Sequence, residues 1–394
     1  MEALLEQSAG KVTGLDEDWN LIESLLPAGW MDKARQLGAF RRARGIKDAA
    51  ALLRVMLIHL AQGCGLRTTA ALAALAGIAQ VSDVALLKRL RSCGAWFEWM
   101  AQQLRACPDL APSPPCASIV GSGRLRLVDG SVVCEPGVTG SKWRLHYSIT
   151  LPSLHCEEVH LGPSDDGETL KRFEVQPGDI FVADRGYAHP GGIAHVRHGG
   201  GQVLVRMNLV TLPLHEPQTG QRLDILQCVR QLSVGQAGDW PAQVVIKARP
   251  GQTSGQQIIE GRLCALRKSN EAAAKARERV RKESIRNGTQ LQPQTLEAAD
   301  YVLVFTTLAQ IPAQQVLEIY RQRWQIELEF KRLKSLIELG HLKKHDERAA
   351  RSWLQGKLMV ALLIARLIAH AERFSPWGYE LQWLQAAGEK LSVA

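Results

Sequence analysis

The sequence predicts an α/β protein. A core of strands and helices is interrupted by a β-rich insertion, preceded by an all-α domain and followed by a helical region. Three features predict this. Helical patterning fills residues 1–106 and stops at a proline cluster. Short strand-like runs separated by turns and helices follow. A long amphipathic run returns after the strand-rich middle.

In the first segment, Leu52 to Leu60 reads as a buried helix. Thr68 to Ala76 is an Ala/Leu-rich helix, Gly77-Ile78-Ala79 a break, and Ser82 a cap for a second helix over Asp83–Arg91. Helix, glycine turn and basic second helix suit a helix-turn-helix, with Lys88, Arg89 and Arg91 as DNA contacts. The same pattern suits an ordinary helical hairpin. Cys107 to Cys116 reads CPDLAPSPPC, and four prolines in ten residues mark a linker over 107–118.

Beyond the linker, Leu125 to Asp129 alternates as a strand, and Trp143–Thr150 and Cys156–Leu161 are strands too. Glu168 to Glu174 suits a short helix. Asp179 to Ala183 is an apolar strand ending at Asp184, and Arg185-Gly186 opens a loop. Residues 188–197 form a helix and Gln202–Arg206 a fifth strand. Three strands, helix, strand, helix, strand is the order of a ribonuclease H-like core, assigned to 119–207 and 308–349. Residues 208–307 form the β-rich insertion. Its run Arg267–Arg286 carries eight basic and three acidic residues. Residues 312–339 read as one long helix, and 350–394 as a helical C-terminal region.

Lys and Arg total 48 against 39 acids, a net charge of +9, so the surface suits an acidic partner. With 46% hydrophobic and 22% charged residues, the chain is globular in composition. No run of 18 uncharged apolar residues suggests a membrane span, and the acidic start Met1-Glu2 is unlike a signal peptide. The eight cysteines contain no C-x-x-C, so no zinc ribbon or disulfide framework is expected. A cytoplasmic protein with reduced thiols is the plain reading. No G-x-x-x-x-G-K-[ST] loop occurs, so no nucleotide cofactor is implied.

At about 100° per residue, Ile319, Ile326, Phe330, Leu333 and Ile337 share one stripe of the long helix. Tyr320, Arg323, Glu327 and Lys334 form a second stripe, with Trp324 and Lys331 alongside. An i, i+4 surface pairing accounts for Arg323 and Glu327 but not for the aromatics. Among competing acids, Asp165-Asp166 reads as a capping turn. His341 and His345 have metal-compatible spacing but no third ligand.

The spacing Y-x2-R-x3-E-x6-K over Tyr320, Arg323, Glu327 and Lys334 resembles the signature of the insertion-sequence-four family of bacterial DDE transposases. So do LVDGS around Asp129 and VADRGY around Asp184. Asp129 and Asp184 lie 55 residues apart, and Glu327 follows 143 later. The resemblance implies that Asp129, Asp184 and Glu327 are catalytic and hold two Mg²⁺ ions, with Mn²⁺ as a substitute. It implies that Tyr320, Arg323 and Lys334 hold phosphates near the cut site. Trp324 would stack on a flipped base, or else pack in the core. Lys331 and Arg206 are further DNA contacts. The implied activity is cleavage and strand transfer at terminal inverted repeats of double-stranded DNA, by a homodimer. An inactive repeat-binding repressor and a nuclease without strand transfer are the alternatives.

Overall fold

The computed structural model describes residues 19–106, 123–134, 141–151, 153–246, 256–339, 342 and 346–371. The Pro-rich linker, His341, His345, the start of the chain and the stretch beyond 371 lie outside the described residues. The chain divides into two compact units, one from 1–111, 134–140 and 332–394, the other from 112–133 and 141–331.

The first unit is helical. It contains α1 (Trp30–Gln36), α2 (Ala49–Ala61), α3 (Leu66–Leu75), α4 (Asp83–Arg105) and α11 (Glu347–Ala371). Asp48 caps α2 by accepting the Ala51 N–H at 2.7 Å, and Ser82 caps α4 through Ala85. The second helix of the expected helix-turn-helix is therefore present but extends well past Arg91. Leu90, Cys93, Trp96, Phe97, Met100 and Leu104 continue its buried face. That continuous apolar stripe packs α4 along α11, so α4 is a core helix of the unit. Two glycines permit the close approach: a Cβ on Gly94 would meet Ser352 Oγ at 2.8 Å, and one on Gly356 would meet Phe97 of α4 at 3.1 Å and Leu60 of α2 at 2.6 Å. Helix α11 is long and apolar enough to cross a membrane, yet half of its most apolar window is buried within the protein.

The second unit is built on a nine-stranded mixed sheet. Its strands are β1 (Arg124–Cys134), β2 (Ser141–Leu151), β3 (His155–Pro163), β4 (Asp179–Ala183), β5 (Gln202–Arg206), β6 (Leu214–His215), β7 (Ala237–Ile246), β8 (Gln257–Arg267) and β9 (Tyr301–Thr306). The spatial order is β3-β2-β1-β4-β5-β9-β8-β7-β6. Strands β1, β4 and β5 are parallel neighbours, and β9 joins β5 antiparallel. The insertion strands thus extend the same sheet. Between strands lie α5 (Pro190–His198), α6 (Ile225–Arg230), α7 (Asn270–Asn287) and α8 (Pro293–Ala298). Leu170–Arg172 forms a single 3₁₀ turn where the sequence suggested a short helix to Glu174.

Strand β1 departs from the expected alternation: Leu125 to Val128 are all buried, Arg126 included. Parallel strands are covered on both faces, so alternation does not mark a solvent side. Arg126 is held by Asp179 at 3.0 Å, Glu158 at 2.6 Å and the Glu174 carbonyl at 2.6 Å. Its guanidinium also lies 4.6 Å from the Phe181 ring centre.

The single helix expected over 312–339 is two: α9 (Ala313–Arg321) and α10 (Trp324–Leu336). At the junction the bonds tighten to i−3, from Gln322 N–H to Ile319 O and from Arg323 N–H to Tyr320 O. The apolar stripe is buried as expected, with Ile319, Ile326, Phe330, Leu333 and Ile337 all inside.

Candidate active site

Strand register sets the first two acids side by side. Leu127 pairs with Val182 and Val182 with Leu204. Two residues further along each strand stand Asp129, Asp184 and Arg206, level with one another at the C-terminal ends of β1, β4 and β5. Ligand sites in open α/β sheets gather at such strand ends. Each acid is fixed by the backbone after it: Asp129 Oδ1 accepts the Gly130 N–H, and Asp184 Oδ1 accepts the Gly186 N–H, both at 2.8 Å.

The break between α9 and α10 delivers Arg323. Its guanidinium donates to Asp129 Oδ2 at 3.3 Å and to Glu327 Oε1. One mostly buried cation therefore ties the strand acid to the helix acid. Burial opposes the charge on Arg323, but Tyr320, Asp129, Glu327 and Asp184 together hold its pKa above the usual arginine value. Burial pushes the Asp129 carboxyl up to about 7; Arg323 and the Gly130 N–H oppose this, and the charges of Asp184 and Glu168 add to it.

A basic cavity of about 850 Å³ adjoins these groups. Tyr320, Arg323 and Trp324 line it together with Arg206, Arg185 and Lys268. Helix α7 supplies a further wall through Lys275 and Arg279, from the basic run noted in the sequence. Lys268 is pushed down to about 8, first by burial and then by Arg206, with Arg185 and Arg279 adding and Asp300 opposing. Tyr320 is buried, and its hydroxyl has no hydrogen-bond partner among the described residues. Burial raises its pKa, against the pull of Arg323 and Arg206. An orphaned hydroxyl beside two guanidiniums fits a phosphate oxygen. Trp324 is 49% exposed, so it is not packed in the core.

Lys331 and Lys334 are exposed on α10. On α4, Lys88 is exposed, but Arg89 donates to the Arg42 carbonyl at 2.7 Å and Arg91 pairs with Asp346 at 3.0 Å. With Arg41 and Arg348 these three line a second basic hollow, within the helical unit.

Residues 158–363 match the transposase DDE domain family, just over half of the chain. The chain is 36% identical over 365 residues to InsL of insertion sequence element IS186A from Escherichia coli K12, covering 91% of this chain and 96% of that protein. It is equally similar, over 366 residues, to the transposase of insertion sequence element IS421 from Escherichia coli. A more distant relative, 24% identical over 245 residues, is the transposase of IS231F from Bacillus thuringiensis subsp. israelensis. The chain belongs to the DDE transposase family.

Transposases of this family use divalent metal ions. Among the described residues, no three acids, imidazoles or thiols converge closely enough to enclose an ion as they stand. The donor set nevertheless fits one. Arg323 stands in for a cation between Asp129 and Glu327, and hard carboxylate oxygens are what Mg²⁺ takes. The transposase also presents a residue that sequence reading missed. Glu168 lies in the loop between β3 and the Leu170–Arg172 turn, beside Gly130 and Gly186. The only local signal was a glycine close after each of the two strand acids.

Proposed function

We propose that this transposase cuts DNA at the ends of its insertion sequence and joins those ends to target DNA, with Asp129, Asp184 and Glu327 as the metal-holding catalytic acids. The observation that carries the reading is the alignment of Asp129 with Asp184 at adjacent strand ends, with Glu327 linked to Asp129 through Arg323. The order β3-β2-β1-β4-β5 supports a ribonuclease H-like core. The Y-x2-R-x3-E-x6-K spacing supports the insertion-sequence-four branch.

Bound Mg²⁺ would activate the attacking water or 3′-hydroxyl and stabilise the leaving oxygen. The chain's own residues do the positioning. Asp129 and Asp184 are locked by backbone N–H bonds, so their oxygens are preorganised. Arg323, Arg206 and the free Tyr320 hydroxyl hold the phosphate beside the cut, and Lys334 and Lys331 extend the contact along α10. Half-exposed Trp324 stacks on an unpaired base at the element end. Lys88, Arg89 and Arg91 belong to a separate basic surface for duplex DNA. The working form is a homodimer on paired terminal inverted repeats, in the bacterial cytoplasm at the nucleoid.

A gel assay with duplex carrying the element's ends, with and without Mg²⁺, tests this. Nicking followed by joined product is expected. Binding without nicking would make the chain a repressor, and nicking without joining a nuclease.

A further inference from the structure

We propose that Glu168 is a fourth carboxylate of the metal site, acting with Asp129 and Asp184. The inference rests on the metal-dependent reading above.

Glu168 is not placed as a surface acid. Its carboxylate enters a gap left by two glycines. A Cβ on Gly186 would collide with Glu168 Oε2, and a Cβ on Gly130 would lie 3.0 Å from Oε1. Asp184 Oδ1 lies 3.3 Å from that same Gly186 position, so the two carboxylates converge on one point. Gly130 follows Asp129 directly, and Gly186 is the residue whose N–H fixes Asp184. The backbone segments that hold the two aspartates are thus the ones that open space for the glutamate.

The approach of Glu168 is also anchored. Thr169 accepts the Lys171 N–H at 3.3 Å, and Leu170 is fully buried. The chain therefore cannot drift away from the strand ends without losing core contact. Glu168 and Asp184 carry like charges on either side of the Gly186 position, and a cation between them would relieve their repulsion. Three acids holding two Mg²⁺ ions leave coordination positions that water, phosphate or a further carboxylate can fill.

The competing role is a plain ion pair with Arg144. That pair is long, 3.4 Å, and both side chains are about a quarter exposed. Pairs of this kind contribute little to stability. Nor does such a pair call for a carboxylate seated against two glycines.

Mn²⁺ binding to the full-length protein, followed by electron paramagnetic resonance of the free ion, separates the roles without measuring activity. Wild type is expected to bind and Asp184→Asn to lose binding. Glu168→Gln is expected to weaken Mn²⁺ binding at least about tenfold, the lower bound for residues supporting a metal site. Without metal, Glu168→Gln should melt at or above the wild-type temperature, because a repelling charge is gone. Arg144→Met should keep or tighten Mn²⁺ binding. Wild-type affinity in Glu168→Gln, with Asp184→Asn defective, would overturn the role of Glu168 alone. A metal-free Glu168→Gln that melts below wild type, with Arg144→Met losing equal Mn²⁺ affinity, would make the glutamate a structural partner. A wild type that binds no Mn²⁺ would overturn the metal reading and this inference together.

Discussion

Asp129 is the residue at which the electrostatics of the site are read most directly. Its carboxyl sits at about 7 against an ordinary 3.8 because it is buried beside two other acids. The fold therefore binds a proton that the unfolded chain has already released. The stabilisation from this group is full below 3.8 and is lost as pH rises through about 7. In the absence of metal, the melting temperature of wild type relative to Asp129→Asn should fall from about pH 5 to about pH 8. A divalent cation should reverse that fall, since it replaces the proton. Calorimetry across that range checks both; a pH-independent difference would contradict the burial argument. Asp129, Asp184 and Glu327 stand out as candidates in the sequence because each sits in a short text with a recognisable neighbourhood. Glu168 does not, because its importance comes from space left by Gly130 and Gly186, and a missing side chain leaves no pattern along the chain.

At the scale of elements, two features decide the geometry. The junction between α9 and α10 aims Arg323 at both acids, and it was invisible in the sequence because the apolar stripe keeps its period straight through it. Arg126 was hidden for the opposite reason: an arginine between two leucines mimics strand alternation, while its two acids lie 32 and 53 residues away. This buried cation ties β1, which carries Asp129, to β3 and to β4, which ends at Asp184. Replacing it by Ala leaves Asp179 and Glu158 without it in the core. A loss of about 3–5 kcal/mol is expected, the cost of breaking a buried pair. Denaturant unfolding measures it. A loss below about 1 kcal/mol, the level of a surface pair, would contradict the packing account.

For the whole molecule, part of the basic excess gathers in one place. Arg185, Arg206, Lys268, Lys275 and Arg279 face one cavity beside the acids. DNA affinity should fall steeply with salt, with a slope of about −0.9 per phosphate neutralised. The double variant Lys275→Ala/Arg279→Ala should flatten that slope by roughly 2 and weaken binding without base preference. Fluorescence anisotropy at several salt concentrations reads the slope. An unchanged slope would remove α7 from the DNA surface. The central claim is that three acids, from two strands and a helix, perform both cutting and joining. The direct measurement is cleavage and strand transfer by Asp129→Asn, Asp184→Asn and Glu327→Gln on end-containing duplex in Mg²⁺. Each variant should still bind the ends, while cutting and joining fall by at least about 100-fold, the factor given by roughly 3 kcal/mol of lost metal assistance. A variant of any of the three acids that joins ends at the wild-type rate would contradict the account.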